Sequence, residues 1–420
     1  MTDSELKQIL AGWNFWGKRL DLGIPRSFYF DRFNRLFPSG QVTVVTGARR
    51  AGKSFLLKQF ANELILKGYK ENELVLVNFE DPGFVSDLNI NLLDSILEFT
   101  VNELKPDKLP VLFLDEIQGI PYWEKWVRTI HEQNRAKIVI SGSNSKLLGG
   151  ELATVLTGRH LDIEVFPLTY SEYLTFDPKG SVKDYLTFGG YPRVVLDKEK
   201  QELLFSYFND IFDKDVIGRY KIRKEERIRS LGKFFLANVG SLISYRSLEK
   251  FLEISQETAE KFTGYLGDSY LTFLVNKFSF KAKEQERSPR KVYALDGGLA
   301  NAVGFHFSEN YGHLAENAVA VGLRRQKSHD PDFNFYYWSD DRALEVDFLT
   351  MKKDKIDKAI QVCWDFSTQK TREREIKAIV KAAKSFDLSK GYIYTWEQEE
   401  KIEIDGIGID VVSLKNCPYL

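Results

Sequence analysis

The segment from Val42 to Ser54, which reads VTVVTGARRAGKS, combines glycine, lysine and serine at a spacing that suits phosphate chemistry. Within it, the pattern Gly47-x-x-x-x-Gly52-Lys53-Ser54 follows a short β-branched run and precedes a helix-forming tail. The glycines let backbone N–H groups turn toward an anion, the lysine reaches the β- and γ-phosphates, and the serine hydroxyl ligates Mg²⁺. The positive end of the following helix faces the same phosphates. The pattern therefore predicts a site for a nucleoside triphosphate and Mg²⁺.

The predicted nucleotide contacts cover the whole loop and the start of the helix after it. They are Gly47, Ala48, Arg49, Arg50, Ala51, Gly52, Lys53, Ser54 and Phe55. The alternative is a glycine-rich surface turn with a solvated lysine. That interpretation requires a strand, this loop and a helix to follow one another by coincidence.

An acidic pair ends the apolar run Val111-Leu112-Phe113-Leu114-Asp115-Glu116. We expect Asp115, at the strand tip, to hold Mg²⁺ through its hydration shell. We expect Glu116 to orient and deprotonate the attacking water. A plain turn can also carry Asp-Glu after a strand. Together with the phosphate loop, however, the pair predicts hydrolysis as well as binding.

Two further positions are candidates for contact with the γ-phosphate. Ser143 follows the next apolar run and is the first choice for a sensor of the phosphate, with Asn144 as the second; capping of a following helix is the alternative. Arg159 falls just before the fifth strand. In ring-forming ATPases this edge supplies an arginine to the neighbouring subunit's nucleotide. A surface ion pair is the alternative for Arg159.

The elements that must position these residues are strands that alternate with helical spacers. The predicted strands are Val42–Thr46, Leu74–Phe79, Val111–Asp115, Lys137–Ser141 and Leu161–Val165. The first four are apolar along most of their length, as strands buried on both faces of a parallel sheet must be. The fold class is therefore α/β, a P-loop NTPase with a five-stranded, doubly wound parallel sheet and its site at the carboxyl ends of the strands; a family resemblance in the same segment implies that the sheet is AAA+/RecA-like.

The segment from Arg26 to about Glu172 resembles the AAA+-type ATPase core of a large prokaryotic group. The shared motifs are Gly47 to Ser54 (GARRAGKS), Leu114 to Gln118 (LDEIQ) and Thr157-Gly158-Arg159. Further on, Gly189 to Pro192 (GGYP) and Lys291 to Leu299 (KVYALDGGL) are similar to signatures of the uncharacterised C-terminal domain usually fused to that core. The resemblance covers nearly the whole chain. It implies an ATPase and favours ATP over other nucleotides, but it does not supply a substrate.

Length and composition bound the remaining possibilities. The chain has 420 residues, enough for two or three domains, with 43% hydrophobic and 28% charged residues. The net charge of −1 means that any nucleic-acid contact must come from a local basic face. Two cysteines make a disulfide framework or a cysteine zinc site implausible. The start MTDSELKQIL lacks signal-peptide features and no apolar run suits a bilayer, so we expect a cytoplasmic protein without membrane contact.

We divide the chain into 1–168 (ATPase core), 169–230 (helical lid or linker), 231–300 (winged helix-turn-helix) and 301–420 (nuclease-like α/β domain). In the lid, Arg193 could reach the nucleotide, although a structural role is the simpler interpretation. The run from Arg219 to Arg229 holds six basic residues, a modest basic face or a solvated helix side.

A capped helix, a turn and a second helix starting near Ser255 and Thr258 predict the winged helix-turn-helix. The wing region is basic, with Lys277, Lys281, Lys283, Arg287, Arg290 and Lys291. The second helix carries Glu257 and Glu260 beside Lys261 and suits a phosphate backbone poorly. Contact with DNA and contact with a protein therefore both remain open.

In the last segment, Glu316 lies on a predicted helix and Asp347 on a strand, with a further strand ending Gln361-x-Cys363. This order resembles the restriction-endonuclease-like fold, where an aspartate and a Glu-x-Lys pair bind Mg²⁺ and activate water. Glutamine is a weak neutral ligand, and cysteine cannot replace the lysine. We therefore predict a degenerate, catalytically silent domain that binds DNA or a partner.

The sequence as a whole predicts a Mg²⁺-dependent AAA+ ATPase that couples its ATP/ADP state to DNA binding or remodelling. It is expected to be a homo-oligomeric ring if Arg159 acts in trans. The alternative is an ATP-dependent signalling or defence switch whose C-terminal half binds a protein. A third possibility is an active nuclease that uses Glu316 and Asp347.

Overall fold

The computed structural model describes residues 1–143, 156, 158–304, 310–340 and 344–420. These residues form two compact units, Met1–Val165 and Phe166–Leu420. Across the described ranges, no helix has both the length and the apolar character that a membrane span requires.

The first unit is built on a five-stranded parallel sheet in the order β2-β3-β4-β1-β5. Its strands are β1 (Val42–Gly47), β2 (Leu74–Asn78), β3 (Val111–Asp115), β4 (Lys137–Gly142) and β5 (His160–Val165). All five strands were predicted, and the predicted parallel P-loop sheet is confirmed. Strand β4 lies between β1 and β3, so the ends of these three strands meet at one edge.

Helices cover this sheet and its edge. They are α1 (Asp3–Trp13), α2 (Phe28–Leu36), α3 (Lys53–Leu66), α4 (Ile90–Phe99) and α5 (Trp123–Glu132), with 3₁₀ turns at Phe37–Ser39, Glu71–Glu73, Pro82–Phe84 and Ile117–Gly119 and a π-helical end to α4 at Thr100–Leu104. Leu6 and Leu10 of α1 are buried in the core of the unit. The Asn14 side chain accepts from Leu76 N at 2.7 Å and donates to Leu76 O at 2.8 Å, which satisfies part of the edge strand β2.

The second unit begins with helices and a small sheet. The helices are α6 (Tyr170–Phe176), α7 (Val182–Phe188), α8 (Pro192–Leu196), α9 (Lys200–Asp210, continued by a π-helical segment Ile211–Gly218), α10 (Glu225–Ala237), α11 (Tyr245–Leu252), α12 (Gln256–Asp268), α13 (Ala282–Arg287) and α14 (Gly297–Val303). The strands β6 (Leu242–Ile243), β7 (Thr272–Val275) and β8 (Arg290–Ala294) form an antiparallel sheet in the order β6-β8-β7. Ser244 and Ser255 cap α11 and α12, which is why the two helices start where the sequence predicts.

The rest of the second unit is a mixed α/β domain. Its elements are α15 (Tyr311–His329), β9 (Phe333–Ser339), β10 (Glu345–Lys352), β11 (Lys355–Cys363), α16 (Gln369–Ser385), β12 (Lys390–Thr395), β13 (Glu400–Ile404), β14 (Ile407–Ser413) and a 3₁₀ turn at Leu414–Asn416. The six strands lie in the order β13-β14-β12-β11-β10-β9. Strands β9, β10 and β11 are antiparallel, whereas β12 pairs in parallel with β11 and β14. The predicted C-terminal α/β fold is confirmed in this mixed sheet.

Candidate functional sites

The loop between β1 and α3 depends on the backbone freedom of its glycines. Gly47 has φ +145°, and a Cβ on it would lie 2.0 Å from the carbonyl oxygen of Val165 on β5. Gly52 has φ +96° directly before α3, and Arg50 has φ +69° within the turn. Positive φ is cheap for glycine and rare for other residues. The loop therefore lies at the carboxyl edge of the sheet and leads straight into a helix N-terminus.

Lys53 spans this loop and reaches the acidic pair. Its side chain is 4% exposed, and Nζ donates to the carbonyl oxygens of Gly47 at 3.1 Å and Ala48 at 3.2 Å. The same Nζ lies 3.6 Å from Glu116 Oε1 at the end of β3. The two motifs predicted from the sequence are thus one site.

Asp115 is buried at the tip of β3 between two hydroxyl groups. Its carboxylate accepts hydrogen bonds from Ser141 at the end of β4 and from Ser54 at the start of α3. Burial, followed by the neighbouring charge of Glu116, raises the pKa of Asp115 to about 6. Carboxylate and hydroxyl oxygens are the ligands that Mg²⁺ prefers, so Ser54 and Asp115 are the side chains that could hold the ion.

Glu116 is held in an unusual backbone conformation. Its φ of +54° lies in the left-handed region, which costs free energy for a residue other than glycine and is often found at functional positions. Its N–H donates to Ser141 Oγ at 3.2 Å, and its carboxylate accepts from the Gln118 amide. Burial acts to raise the pKa of Glu116, but the charges of Lys53 and Arg49 and the hydrogen bond from Gln118 together outweigh it, and the net pKa is lowered. The carboxylate is thus kept ionised, as a base must be.

Phe55, the last of the predicted nucleotide contacts, is more exposed to solvent than Lys53. The Phe55 ring is 43% exposed on α3, with Lys58 Nζ 5.1 Å from its centre. A Cβ on Gly23 would lie 3.0 Å from that ring. Arg49 Nη1 lies 3.2 Å from Glu80 Oε1, and its charge also lowers the pKa of Glu116.

Sequence reasoning missed Ser141 and Arg26. Ser141 touches both members of the acidic pair; its signal in the sequence is a hydroxyl residue inside an otherwise apolar strand. Arg26 is 3% exposed, and its Nη1 donates to the carbonyl oxygen of Ala51 at 3.0 Å. No local pattern predicts that contact, because the two residues belong to different elements.

Of the two other candidates, Ser143 and Arg159, only Ser143 lies at the carboxyl end of the strands, where the phosphate loop lies. Ser143 is buried directly after β4, and Asn144 lies outside the described residues. Arg159 is at the amino end of β5, where its carbonyl accepts from Val42 N at 3.0 Å, whereas Gly47 pairs with Val165 at the other end. Its Nη2 lies 3.1 Å from Glu132 Oε1. Arg159 is therefore at the opposite edge of the sheet from its own chain's loop.

Several basic residues of the second unit are neutralised locally. Arg193, the candidate lid arginine, is 71% exposed and pairs at 3.0 Å with Asp197, which directly follows α8. The basic run is paired in part, as is the second capped helix: the pairs are Arg219 with Asp215, Arg227 with Glu253, Arg229 with Asp213, and Lys261 with Glu257. The basic face between Arg219 and Arg229 is therefore weaker than its composition indicates.

Lys291 was expected in the basic wing, and that prediction is wrong. It lies on β8 with only 3% of its side chain exposed, and its Nζ lies 3.0 Å from Glu316 Oε1, 2.6 Å from Glu345 Oε1 and 3.0 Å from Asp347 Oδ1. Glu316 comes from α15, and the other two acids come from one face of β10. The sequence could not show this because the amine lies on β8, whereas the acids lie on α15 and β10.

In the C-terminal domain, the polar residues of β11 make structural hydrogen bonds, unlike the residues at the corresponding strand of a nuclease site. Gln361 Oε1 accepts from Asp347 N at 3.1 Å, and the Gln361 side chain also bonds to Glu375 of α16. Cys363 Sγ donates to the Asp365 carbonyl at 3.2 Å, and burial raises the pKa of the thiol to about 12. These residues line a cavity of about 620 Å³ together with Lys291 and its acids.

Comparisons with known proteins divide the chain into three parts. Residues 39–174 match an AAA domain, residues 179–309 match the domain of unknown function DUF8612, and residues 311–417 match the domain of unknown function DUF4143. Among solved structures, the Aeropyrum pernix ORC1 protein in complex with DNA is 12% identical with a TM-score of 0.30, over 67% of this chain and 93% of that chain.

Two relatives match along most of their length. The chain is 35% identical over 398 residues to uncharacterized protein MJ1544 of Methanocaldococcus jannaschii, covering 88% of this chain and 86% of that protein. It is 28% identical over 409 residues to an uncharacterized protein of Haemophilus influenzae, covering 92% and 96%. The chain belongs to a family of AAA+ proteins, with relatives in archaea and bacteria, whose AAA domain is followed by C-terminal domains of unknown function.

Proposed function

We propose that the protein binds ATP with Mg²⁺ at the β1–α3 loop and hydrolyses it to ADP and phosphate. The observation that carries this proposal is the 3.6 Å contact between Lys53 Nζ and Glu116 Oε1, with Ser54 hydrogen-bonded to Asp115 beside it. A phosphate-binding amine, a metal-binding hydroxyl and two carboxylates at one strand edge are the parts that phosphoryl transfer to water requires. The cytoplasm is the proposed location.

Each side chain has a role in this proposal. The loop from Gly47 to Phe55 binds the nucleotide, and Lys53 binds its β- and γ-phosphates. Ser54 ligates Mg²⁺, Asp115 holds the ion through its hydration shell, and Glu116 orients and deprotonates the attacking water. Ser143 senses the γ-phosphate from the end of β4. Mg²⁺ held by Ser54 and Asp115 would offset the negative charge of the phosphate oxygens.

Binding of a fluorescent ATP analogue by the wild type, Lys53→Ala and Lys67→Ala tests the site itself. Lys67 is the matched control, since it lies at the end of α3 and pairs with Glu63 at 3.2 Å. We expect Lys53→Ala to weaken binding at least about tenfold, because the loss of a charge-assisted hydrogen bond costs roughly 1.5–3 kcal/mol. Equal affinity of all three proteins would remove the proposal.

We further propose that nucleotide state is coupled to DNA through the region 231–300, interpreted as a winged helix-turn-helix. Its capped helices and three-stranded sheet support this, as does the exposed wing, where Phe280 is 86% exposed beside Lys281 and Lys283. An exposed aromatic ring next to cations suits a nucleic-acid backbone and its bases. Absence of DNA binding at low salt, where such contacts are strongest, would remove the DNA part and leave the ATPase intact.

A second candidate function is an ATP-dependent switch that docks a protein. The ion pairs of Arg227 with Glu253 and of Lys261 with Glu257 favour it, because they remove charges that a phosphate backbone would need. The two functions differ in what stimulates hydrolysis. DNA that raises turnover supports the first, whereas turnover unchanged by any DNA supports the switch.

A further inference from the structure

The second unit buries a lysine of β8 among three carboxylates of the C-terminal domain. The Lys291 ammonium has three N–H donors and three acidic partners, Glu316, Glu345 and Asp347, at 3.0, 2.6 and 3.0 Å. An isolated buried ammonium would be very costly, and here it donates hydrogen bonds to Glu316 and Asp347 and lies within ion-pair distance of Glu345. The cluster is therefore a complete cation site whose cation is a side chain.

The carboxylate oxygens around Lys291 are also bonded to other groups. Glu316 Oε1 accepts from the Tyr293 hydroxyl at 2.7 Å, and Asp347 Oδ2 accepts from the N–H of Val362 at 2.9 Å. A divalent ion bound by these acids at about 2.0–2.6 Å would lie close to the ammonium and be repelled by it. In the part of the chain that the structure describes, no three histidine, cysteine or acidic side chains are arranged to hold a metal ion.

The strand that completes a metal-dependent nuclease site is diverted to structural bonds. The single side-chain oxygen of Gln361 accepts from Asp347 N, and its amide bonds to Glu375. Cys363 donates to a backbone carbonyl and supplies no positive charge. Strand β11 therefore supplies neither an acidic ligand for Mg²⁺ nor a lysine, because Gln361 is neutral and already hydrogen-bonded and Cys363 carries no positive charge.

We propose that the Lys291 ammonium occupies the place of a divalent cation among Glu316, Glu345 and Asp347, so that the C-terminal domain keeps a metal-independent pocket and does not cut nucleic acid. Lys291 lies on β8, and its partners lie on α15 and β10. Through these ion pairs, the Lys291 ammonium also links the small antiparallel sheet to the mixed sheet. The inference is independent of nucleotide hydrolysis at the other unit.

Removal of the ammonium should turn the cluster into a metal site. Lys291→Met keeps a chain of similar length without the charge, which leaves the buried Glu316 and Asp347 and the partly exposed Glu345 to repel one another. Such groups gain by binding a cation or a proton. Sensitised Tb³⁺ luminescence is a suitable readout, because the Tyr293 ring lies beside Glu316 and Trp364 lines the same cavity.

The experiment uses four full-length proteins, all with Asp115→Asn so that the ATPase site does not contribute. They are this background alone, the background with Lys291→Met, the background with Asp347→Asn, and the background with both substitutions. We expect about tenfold more Tb³⁺ luminescence from the Lys291→Met protein than from the other three at micromolar Tb³⁺. A folded Lys291→Met protein without that gain would overturn the proposal.

The protein that carries Asp115→Asn alone still tests the proposal if Lys291→Met fails to fold. If the Asp115→Asn protein shows luminescence that the added Asp347→Asn removes, a metal binds at the cluster despite Lys291, and the proposal is overturned. Luminescence that Asp347→Asn leaves unchanged would support it. DNA cutting with Mg²⁺ or Mn²⁺ is compared for the wild type and Asp347→Ala: cutting lost in the variant would contradict the inference, and equal behaviour would support it.

Discussion

Ser141 Oγ accepts from the N–H of Glu116 at 3.2 Å, and its hydroxyl hydrogen-bonds to Asp115. One side chain on β4 therefore holds both members of the acidic pair at the end of β3. The contact depends on the insertion of β4 between β1 and β3. It also places the acids opposite Lys53, whose Nζ is 3.6 Å from Glu116.

The first prediction compares Ser141→Ala with Ser143→Ala. Loss of the Ser141 hydroxyl leaves two buried polar groups without this partner, so we expect the free energy of unfolding to fall by about 1–3 kcal/mol. We also expect hydrolysis to need more Mg²⁺, because Asp115 is less well oriented. Thermal melting and a Mg²⁺ titration of ATP hydrolysis measure the two effects. For Ser143→Ala, the sensor role predicts a lower kcat and an unchanged Mg²⁺ requirement. A higher Mg²⁺ requirement in Ser143→Ala, with only a lower kcat in Ser141→Ala, would show that the two serines have the opposite roles.

The second prediction concerns pH. The pKa of Asp115 in the folded chain is about 6, raised by burial and by Glu116 from 3.8. A raised pKa gives a stabilising contribution that is complete below the unfolded value of 3.8 and is lost as pH rises through about 6. Asp115→Asn does not titrate there, so its Tm minus that of the wild type should increase between about pH 4 and pH 6 and stay level above about pH 7.

The exposed Asp354→Asn is the control for that pH series. Its Tm difference from the wild type gives the reference curve of an exposed aspartate. An Asp115→Asn difference that follows the same curve would contradict the raised pKa. The ionised form of Asp115 is the one that attracts Mg²⁺, so the Mg²⁺ concentration for half-maximal hydrolysis should rise as pH falls below about 6.

The third prediction tests Arg159 in trans. Arg159 lies at the amino end of β5, away from its own chain's loop, so the proposed catalytic role requires the nucleotide of a neighbouring subunit. We expect Arg159→Ala to lower kcat by about 10³-fold or more with nucleotide affinity retained. Mixing Arg159→Ala with Lys53→Ala should restore part of the activity, since some interfaces then combine an intact loop with an intact arginine.

Arg128→Ala is the matched control for the arginine, because Arg128 pairs with the same Glu132 at 3.0 Å. It should keep full activity. If Arg159→Ala behaves like Arg128→Ala, Arg159 is a surface ion-pair residue and the ring proposal loses its support.

The fourth prediction concerns DNA contact by the wing. Lys283→Ala removes an exposed charge near Phe280, so the slope of log K against log salt should become shallower by about one. Lys261→Ala is the control, since Lys261 is paired with Glu257 at 2.7 Å. Fluorescence anisotropy with a labelled duplex at several salt concentrations gives both slopes. Identical slopes for the two variants and the wild type would exclude the wing from the interface.

The sequence predicts well where chemistry is local. The loop, the acidic pair and the five strands are read from short patterns, because glycine, lysine and apolar runs report their own conformation. Glu316 and Asp347 were likewise placed on a helix and a strand that the structure contains. These are the parts in which adjacent residues decide the structure.

The sequence fails where residues from distant elements meet. Lys291 looks like a surface cation of a basic segment, yet it is buried because acids from α15 and β10 surround it. Ser141 and Arg26 gain their contacts from the strand order and from the chain before β1. Such contacts depend on tertiary packing, which no spacing rule records.

The most direct test of the central claim is steady-state ATP hydrolysis by the wild type and Glu116→Gln, each with and without single-stranded, duplex and branched DNA. Glu98→Gln, an exposed position on α4, is the control. We predict Mg²⁺-dependent turnover by the wild type and control, and a loss of about 10²–10⁴-fold in Glu116→Gln with ATP binding kept. Turnover by Glu116→Gln equal to that of the wild type would contradict the account.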